Sequence, residues 1–258
     1  MKITSLLENT AACSDVMVEH GLSLFIETEN QRILFDMGQS DLFAKNAEAL
    51  GIDLSTVDAA VISHGHYDHG GGLSDFLRMN KKAPVYINKG AFGKFYNGSG
   101  KYIGLDAELK NSDMIKFADD GREVLANCRI FSCNDKVRKY DMGSFGLSED
   151  TGNLRIPDNF HHEQYLLIEE KGKRVLFSGC SHKGIFDIVE WFKPDVLVGG
   201  SHFSKITEAA MLEEFARRLD EYPTVYYTCH CTGVEQYEIM KKHMRSLHYI
   251  ACGESICL

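Results

Sequence analysis

Short runs of apolar, β-rich residues recur along the chain between polar turns, and two pairs of them read alike. Leu24-Phe25-Ile26-Glu27 and Arg32-Ile33-Leu34-Phe35-Asp36 flank Glu29-Asn30, while Leu166-Leu167-Ile168-Glu169 and Arg174-Val175-Leu176-Phe177-Ser178 flank Lys171-Gly172. Each pair predicts an antiparallel hairpin. The likeness continues downstream. Asp58-Ala59-Ala60-Val61 leads to Ser63-His64 as Asp195-Val196-Leu197-Val198 leads to Ser201-His202, and Pro84-Val85-Tyr86-Ile87 corresponds roughly to Pro223-Thr224-Val225-Tyr226. The chain therefore reads as two related halves. Between the strands lie apolar residues at helical spacing: Phe43, Ala47 and Leu50 before Gly51; Met211, Phe215 and Leu219; Tyr237, Met240 and Met244. Each set lines one helix face. Strands alternating with helices give a layered α/β fold. The duplication places the strand ends carrying His64 and His202 at one shared edge, where side chains from several strands can converge on a ligand.

Two stretches follow neither period. From about 88 to 124, Gly90, Gly93, Gly98, Gly100 and Gly104 are interleaved with Phe92, Phe95, Tyr96 and Tyr102. We expect an insertion near the site within one domain spanning 1–258, its aromatics forming either a lid over a flat organic substrate or a small satellite core. The polar, Gly-rich segment Met142 to Asn159 is a second candidate rim loop.

Composition narrows the function. A chain of 258 residues, 44% hydrophobic, can bury a sizeable core as a single enzyme domain. The net charge of −9 argues against a polyanion-binding surface, so nucleic acid is not an expected partner. No apolar run approaches the roughly 18 residues of a membrane span, and no leader pattern is present, so the expected location is the cytoplasm. The eight cysteines are expected to be reduced, several of them filling core space. Cys229 and Cys231, which flank His230, should point opposite to it if their strand continues.

The densest chemistry lies in Ser63-His64-Gly65-His66-Tyr67-Asp68-His69-Gly70-Gly71-Gly72, with three imidazoles and a carboxylate in six residues. Neutral imidazoles suit zinc and similar first-row ions. In extended backbone His64 and His66 point the same way and can share one ion. Asp68 and His69, past a turn, can serve a neighbouring one. The glycines that follow let the backbone come close to the ions.

His-x-His-x-Asp-His after a buried strand resembles the signature of the metallo-β-lactamase superfamily of metal-dependent hydrolases. The resemblance implies an αββα sandwich of two mixed sheets from two duplicated halves, helices outside. It also implies one or two divalent ions, zinc foremost, with iron or manganese as alternatives. The superfamily's last histidine falls on His230 in Thr228-Cys229-His230-Cys231-Thr232-Gly233, where a neighbouring thiolate is the competing ligand. Its bridging aspartate falls on Cys180 in Ser178-Gly179-Cys180-Ser181-His182-Lys183-Gly184, with His182 a second candidate. A thiolate there would favour zinc or iron over magnesium or calcium. Its middle histidine points at His161-His162, with Glu163 a further oxygen donor.

Stretches through nearly the whole chain resemble the branch of 7,8-dihydropterin-6-methyl-4-(β-D-ribofuranosyl)aminobenzene-5′-phosphate synthase. They are Glu19-His20-Gly21-Leu22-Ser23, Leu34-Phe35-Asp36-Met37-Gly38, the His64 motif, Glu163-Gln164, Gly179-Cys180-Ser181-His182, Gly199-Gly200-Ser201-His202-Phe203 and His230-Cys231-Thr232-Gly233. That branch implies a small phosphorylated substrate. We expect Asp68 to orient an activated water or accept its proton. His202 would face the substrate, or else cap a helix near Thr207. His202 or Lys183 would neutralise charge on a departing oxygen, and Asp36 would brace the His64 motif by hydrogen bonds. Three functions remain open: a metal-dependent hydrolase or transferase acting on a phosphorylated or pterin-like small molecule, a lactone or phosphodiester hydrolase, and a non-catalytic iron-binding or redox protein.

Overall fold

The two hairpins form as β2 (Ser23–Glu27) with β3 (Arg32–Phe35), and β12 (Tyr165–Glu170) with β13 (Lys173–Ser178), in a computed structural model describing residues 1–258. Each is the centre of a seven-stranded sheet. The first sheet runs from β17 (Ser255–Cys257) through β1 (Lys2–Leu7), β2, β3, β4 (Ala59–Val61) and β5 (Val85–Ile87) to β7 (Ile115–Phe117). The second runs from β8 (Arg122–Leu125) through β9 (Cys128–Phe131), β12, β13, β14 (Val196–Gly199) and β15 (Val225–Thr228) to β16 (Leu247–Tyr249). In both sheets the pairings are antiparallel as far as the second strand of the hairpin and parallel beyond it. The repeated sequence has therefore folded into a repeated topology, with one exchange. The first sheet takes its edge strand from the C-terminal end of the chain, Lys2 pairing with Cys257.

Both sheets are apolar on both faces, and this makes four layers. Ile3, Leu24, Ile26, Ile33, Phe35 and Val61 of the first sheet meet Ile130, Leu166, Ile168, Val175, Phe177 and Val198 of the second. The outer face of the first sheet packs on α1 (Leu42–Ala49) and α3 (Leu73–Met79), through Phe43, Ala47, Leu73 and Phe76. The outer face of the second packs on α4 (Ile185–Phe192), α5 (Ala209–Leu219) and α6 (Val234–Met240). The result is the αββα sandwich. No helix is long and apolar enough to cross a membrane.

Some sequence expectations shift. In α5 Leu219 is buried and Phe215 packs on the core as expected, but Met211 is exposed and Leu212 and Ala216 complete the packed face instead. Helix α4, which the helical spacing did not single out, is almost wholly buried, Asp187 included. The two aperiodic stretches meet. β6 (Lys94–Tyr96) of the first pairs with β10 (Ser148–Asp150) of the second, and β11 (Arg155–Pro157) completes a three-stranded sheet. Phe95, Ile103, Leu147 and Phe160 form a satellite core beneath it.

The register also shows where the halves diverge. Phe35 pairs with Val61 as Phe177 pairs with Val198, so His202 lies one residue farther from its strand than His64 does. The extra residue falls in Gly199-Gly200. Gly199 has φ 137°, and a Cβ there would sit 1.6 Å from the Ser178 carbonyl oxygen, so only glycine fits.

Phe35 and Phe177, with ring centroids 5.8 Å apart, join the two sheets at the repeat axis. Phe177→Ala should cost about 3–5 kcal/mol. Equilibrium urea unfolding measures this, and a cost below about 1 kcal/mol would mean that the inter-sheet contact is not what holds the halves together.

Candidate metal centre

The strand-end residues converge at one edge of the sandwich on a cavity of about 200 Å³, lined among others by His66, Asp68, Cys180, His182, His202 and His230. Asp36, at the end of β3, lies beneath it and is fully buried. One carboxylate oxygen accepts the Ser63 N–H at 2.7 Å. The other accepts both the Ser63 hydroxyl and His69 Nδ1, each at 2.7 Å. Because the Ser63 hydroxyl proton is given to Asp36, its oxygen accepts from His64 Nδ1 at 2.8 Å. One carboxylate thus fixes a proton on the Nδ1 of two imidazoles, directly for His69 and through Ser63 for His64, and turns both Nε2 atoms toward the cavity.

His66 precedes the single turn α2 (Tyr67–Gly70), which carries Asp68 and His69. The loop after β13 brings His182 across from the second half. His64, His66 and His182 are buried and hold donor atoms within 4.8 Å of one another. Burial pushes all three below the ordinary histidine range, His66 to about 4, so they are neutral near pH 7. The His182 loop is fixed by Glu163, whose carboxylate accepts the N–H groups of His182 and Lys183 and the Tyr165 hydroxyl.

A second set forms around Asp68, whose Oδ2 lies 3.2 Å from His20 Nε2, 3.5 Å from His230 Nε2 and 3.9 Å from His69 Nε2. Burial alone would raise the Asp68 pKa, but His69, His20 and His230 outweigh it and keep the group ionised. Asn9 sorts the imidazoles. Its carbonyl oxygen accepts from His230 Nδ1 at 2.8 Å and turns the His230 Nε2 toward Asp68 and the cavity. Its amide faces His20 Nδ1 at 3.3 Å, so His20 carries its proton on Nε2 and donates toward Asp68. Glu8 accepts the His230 N–H and holds that residue at φ 48°. Cys180 Sγ, 3.2 Å from His69 Nε2, stands between the two sets and groups with His64 and His69.

Several candidates sit differently from expectation. His161 is exposed. Both nitrogens of His162 are engaged, Nδ1 accepting from the Gly65 N–H and Nε2 facing Asp158, so it braces the loop of His64 and His66. Lys183 is buried beneath the site, its ammonium donating to the carbonyls of Ser132 and Glu163, and burial lowers its pKa to about 8. It cannot reach a leaving group. Lys205 lines the cavity instead. The His202 ring makes no capping bond and packs against Phe145 and His182, at 4.4 Å from each. The strand of His230 stops at Thr228, so His230 and Cys231 both reach the cavity while Cys229 enters the inter-sheet core. Glu8, Asn9 and His20, far away in sequence, carry no spacing signal toward the His64 motif; only the stretch Glu19-His20-Gly21 hinted at one of them.

The buried side-chain nitrogens and oxygens without a hydrogen-bond partner test whether this set fits a metal. Apart from the Ser5 hydroxyl, all are imidazole nitrogens, of His64, His66, His182, His202 and His230. Buried polar atoms are seldom left unpaired. Imidazole nitrogens, a carboxylate and a thiol converging on one cavity are a donor set suited to divalent first-row ions.

The family model of the metallo-beta-lactamase superfamily matches residues 16–230. This chain belongs to that superfamily. Two relatives come from Methanocaldococcus jannaschii. One, an uncharacterized protein, is 29% identical over 90% of each chain. The other, named 7,8-dihydropterin-6-methyl-4-(beta-D-ribofuranosyl)-aminobenzene-5'-phosphate synthase, is 26% identical over 90% of this chain and 88% of its own. Among solved structures, Tm1679, described as a metal-dependent hydrolase of the beta-lactamase superfamily, superposes with a TM-score of 0.85 at 30% identity, covering 100% of this chain and 99% of its own. Zinc-bound PqqB from Methylobacterium extorquens shares the fold at a TM-score of 0.62 and 14% identity, with both chains fully covered. The metallo-beta-lactamase fold thus accounts for the topology and for the placing of the histidine motif at the sheet edge.

Asp36→Asn should weaken zinc binding by about 10–100-fold while leaving every donor that faces the cavity in place. Competition with a chromophoric chelator measures this, and unchanged affinity would refute the bracing role. The ion-free chain should also show the Asp36–His69 pair in its pH dependence. Burial alone would lower the His69 pKa, but Asp36 and Asp68 lift it from 6.5 to about 9. The stabilisation is complete below 6.5 and fades as pH rises through about 9. The thermal midpoint of chelator-treated protein should fall across that window, and Asp36→Asn should flatten the fall; an identical slope in both proteins would count against the pair.

Proposed function

We propose that this protein is a metal-dependent hydrolase or transferase acting on a phosphorylated or pterin-like small molecule in the cytoplasm, as a single domain whose segment from about 88 to 124 forms part of the site rim. The observation that carries this reading is the convergence of unpartnered buried imidazole nitrogens with an ionised Asp68 on one cavity. His64, His66 and His182 would hold one divalent ion, and Asp68, His69 and His230 a second, with Cys180 between them. Zinc is the ion best suited to this mixture of nitrogen and sulfur donors. When bound, such ions acidify water and polarise phosphoryl or carbonyl oxygens.

The protein's own groups supply the rest. Asp68, ionised and in contact with the His20 N–H, is an acceptor positioned to orient a water and take its proton. His202 would face the substrate from beside His182, since its ring lines the same cavity. Lys205, Ser204 and Asn97 offer a cation, a hydroxyl and an amide at the mouth, chemistry that suits a phosphoryl group. Tyr67 and Leu147 add flat and apolar surface for a ring system. The M. jannaschii relative named as a pterin phosphate synthase supports a substrate of that class.

A second reading, an iron-binding protein without turnover, is favoured by Cys180 lying 3.2 Å from His69 Nε2. Elemental analysis of protein purified without added metal separates the two. At least about two zinc or manganese ions per chain are expected if the hydrolytic centre is filled, whereas iron as the main metal, or one ion only, would bring the redox reading forward. With metal in place, hydrolysis of bis(p-nitrophenyl) phosphate should drop about 10²–10⁴-fold in Asp68→Asn. Full activity in that variant would remove Asp68 from the proton-accepting role.

A further inference from the structure

Two groups at the cavity wall, Cys231 and His202, are not needed by the two histidine sets, and Cys180 lies beside both of them. Cys231 is buried at the turn after β15, its sulfur accepting the His202 N–H at 3.2 Å and lying 3.7 Å from the Cys180 carbonyl oxygen. The His202 ring has both nitrogens buried and without a partner, although its backbone is held in the left-handed region at φ 54°. Such backbone is costly for a side chain of this size. Cys180, His202 and Cys231 hold their donor atoms within 4.8 Å of one another. The backbone makes room for them. A Cβ on Gly200 would fall 2.3 Å from the Cys231 sulfur, so glycine there leaves the space that the thiol occupies.

We propose that Cys180, Cys231 and His202 form a separate soft metal position that takes a thiophilic divalent ion such as zinc, with Cys180 shared between it and the histidine centre. On binding, each thiol gives its proton to solvent and the His202 ring supplies a neutral lone pair. Two sulfurs and one nitrogen make this the softest donor set in the chain, and it sits where the second sheet faces the cavity. Apart from the shared Cys180, the two histidine sets consist of nitrogen and oxygen donors. The position therefore goes beyond the hydrolytic reading and can fail independently of it.

Cobalt(II) titration of metal-free protein, kept reduced with a phosphine, tests the assignment. The wild type should bind one equivalent more than Cys231→Ser and should show near-ultraviolet sulfur-to-cobalt charge-transfer bands that weaken in that variant. His202→Asn, which keeps both sulfurs, should lose the same equivalent, so the result does not depend on one variant folding. A wild type and a Cys231→Ser protein with equal stoichiometry and superimposable spectra would overturn the proposal. His66→Ala should keep the thiolate bands. If those bands survive in a wild type that leaves the histidine sets empty, the soft position stands and the hydrolytic reading falls.

Discussion

The structure around the cavity depends on which ring nitrogens one accepting carboxylate keeps protonated. Asp36 is buried at the end of β3 and can be satisfied only by donors from its own neighbourhood: the Ser63 amide and hydroxyl and the His69 ring. That necessity sets the tautomer of His69 directly and of His64 through Ser63. A buried carboxylate with fewer partners would be strongly destabilising. The requirement to satisfy Asp36 and the requirement to turn two Nε2 atoms toward the cavity are therefore met by the same three hydrogen bonds, and fold stability and site chemistry are not separable at this position.

Around this centre the other donors are each set by a buried acidic or amide group behind them. Glu163 holds the His182 loop, Glu8 and Asn9 hold His230, and Asp158 faces His162 and His66. The pattern explains how so many imidazoles can be packed with ring centroids 4.1–5.2 Å apart without mutual charge. Burial keeps His64, His66 and His182 neutral, while the acidic groups are spent on N–H donors beneath and beside the cavity.

Much of this was legible in the sequence, and the reasons for the rest are physical. Both hairpins, the repeat and the layered fold followed from runs of apolar residues, because a strand's neighbours in sequence are its environment. The His64 motif was legible because its donors are local. His182 was harder to separate from His161 and His162, since the choice turns on Ser181 adopting φ 55° and on Nδ1 of His162 being taken by the Gly65 amide. Neither leaves a periodic trace. Cys231 was misplaced because strand alternation was extended past Thr228, where the chain turns through a left-handed His230. Lys183 looked suited to a substrate role until its position beneath the Glu163 loop was known.

The hydrogen bond from the His230 amide to Glu8 spans 222 residues. A chain that leaves the ribosome N-terminus first exposes His64, His66 and His69 long before the segment that carries His230 exists, and Glu8 and Asn9 must wait for it. Contacts of such sequence separation form late in folding. The histidine motif would thus spend most of synthesis as an open, incomplete set of donors, and any selection among metals would belong to the finished molecule, after the last strands have closed against the first.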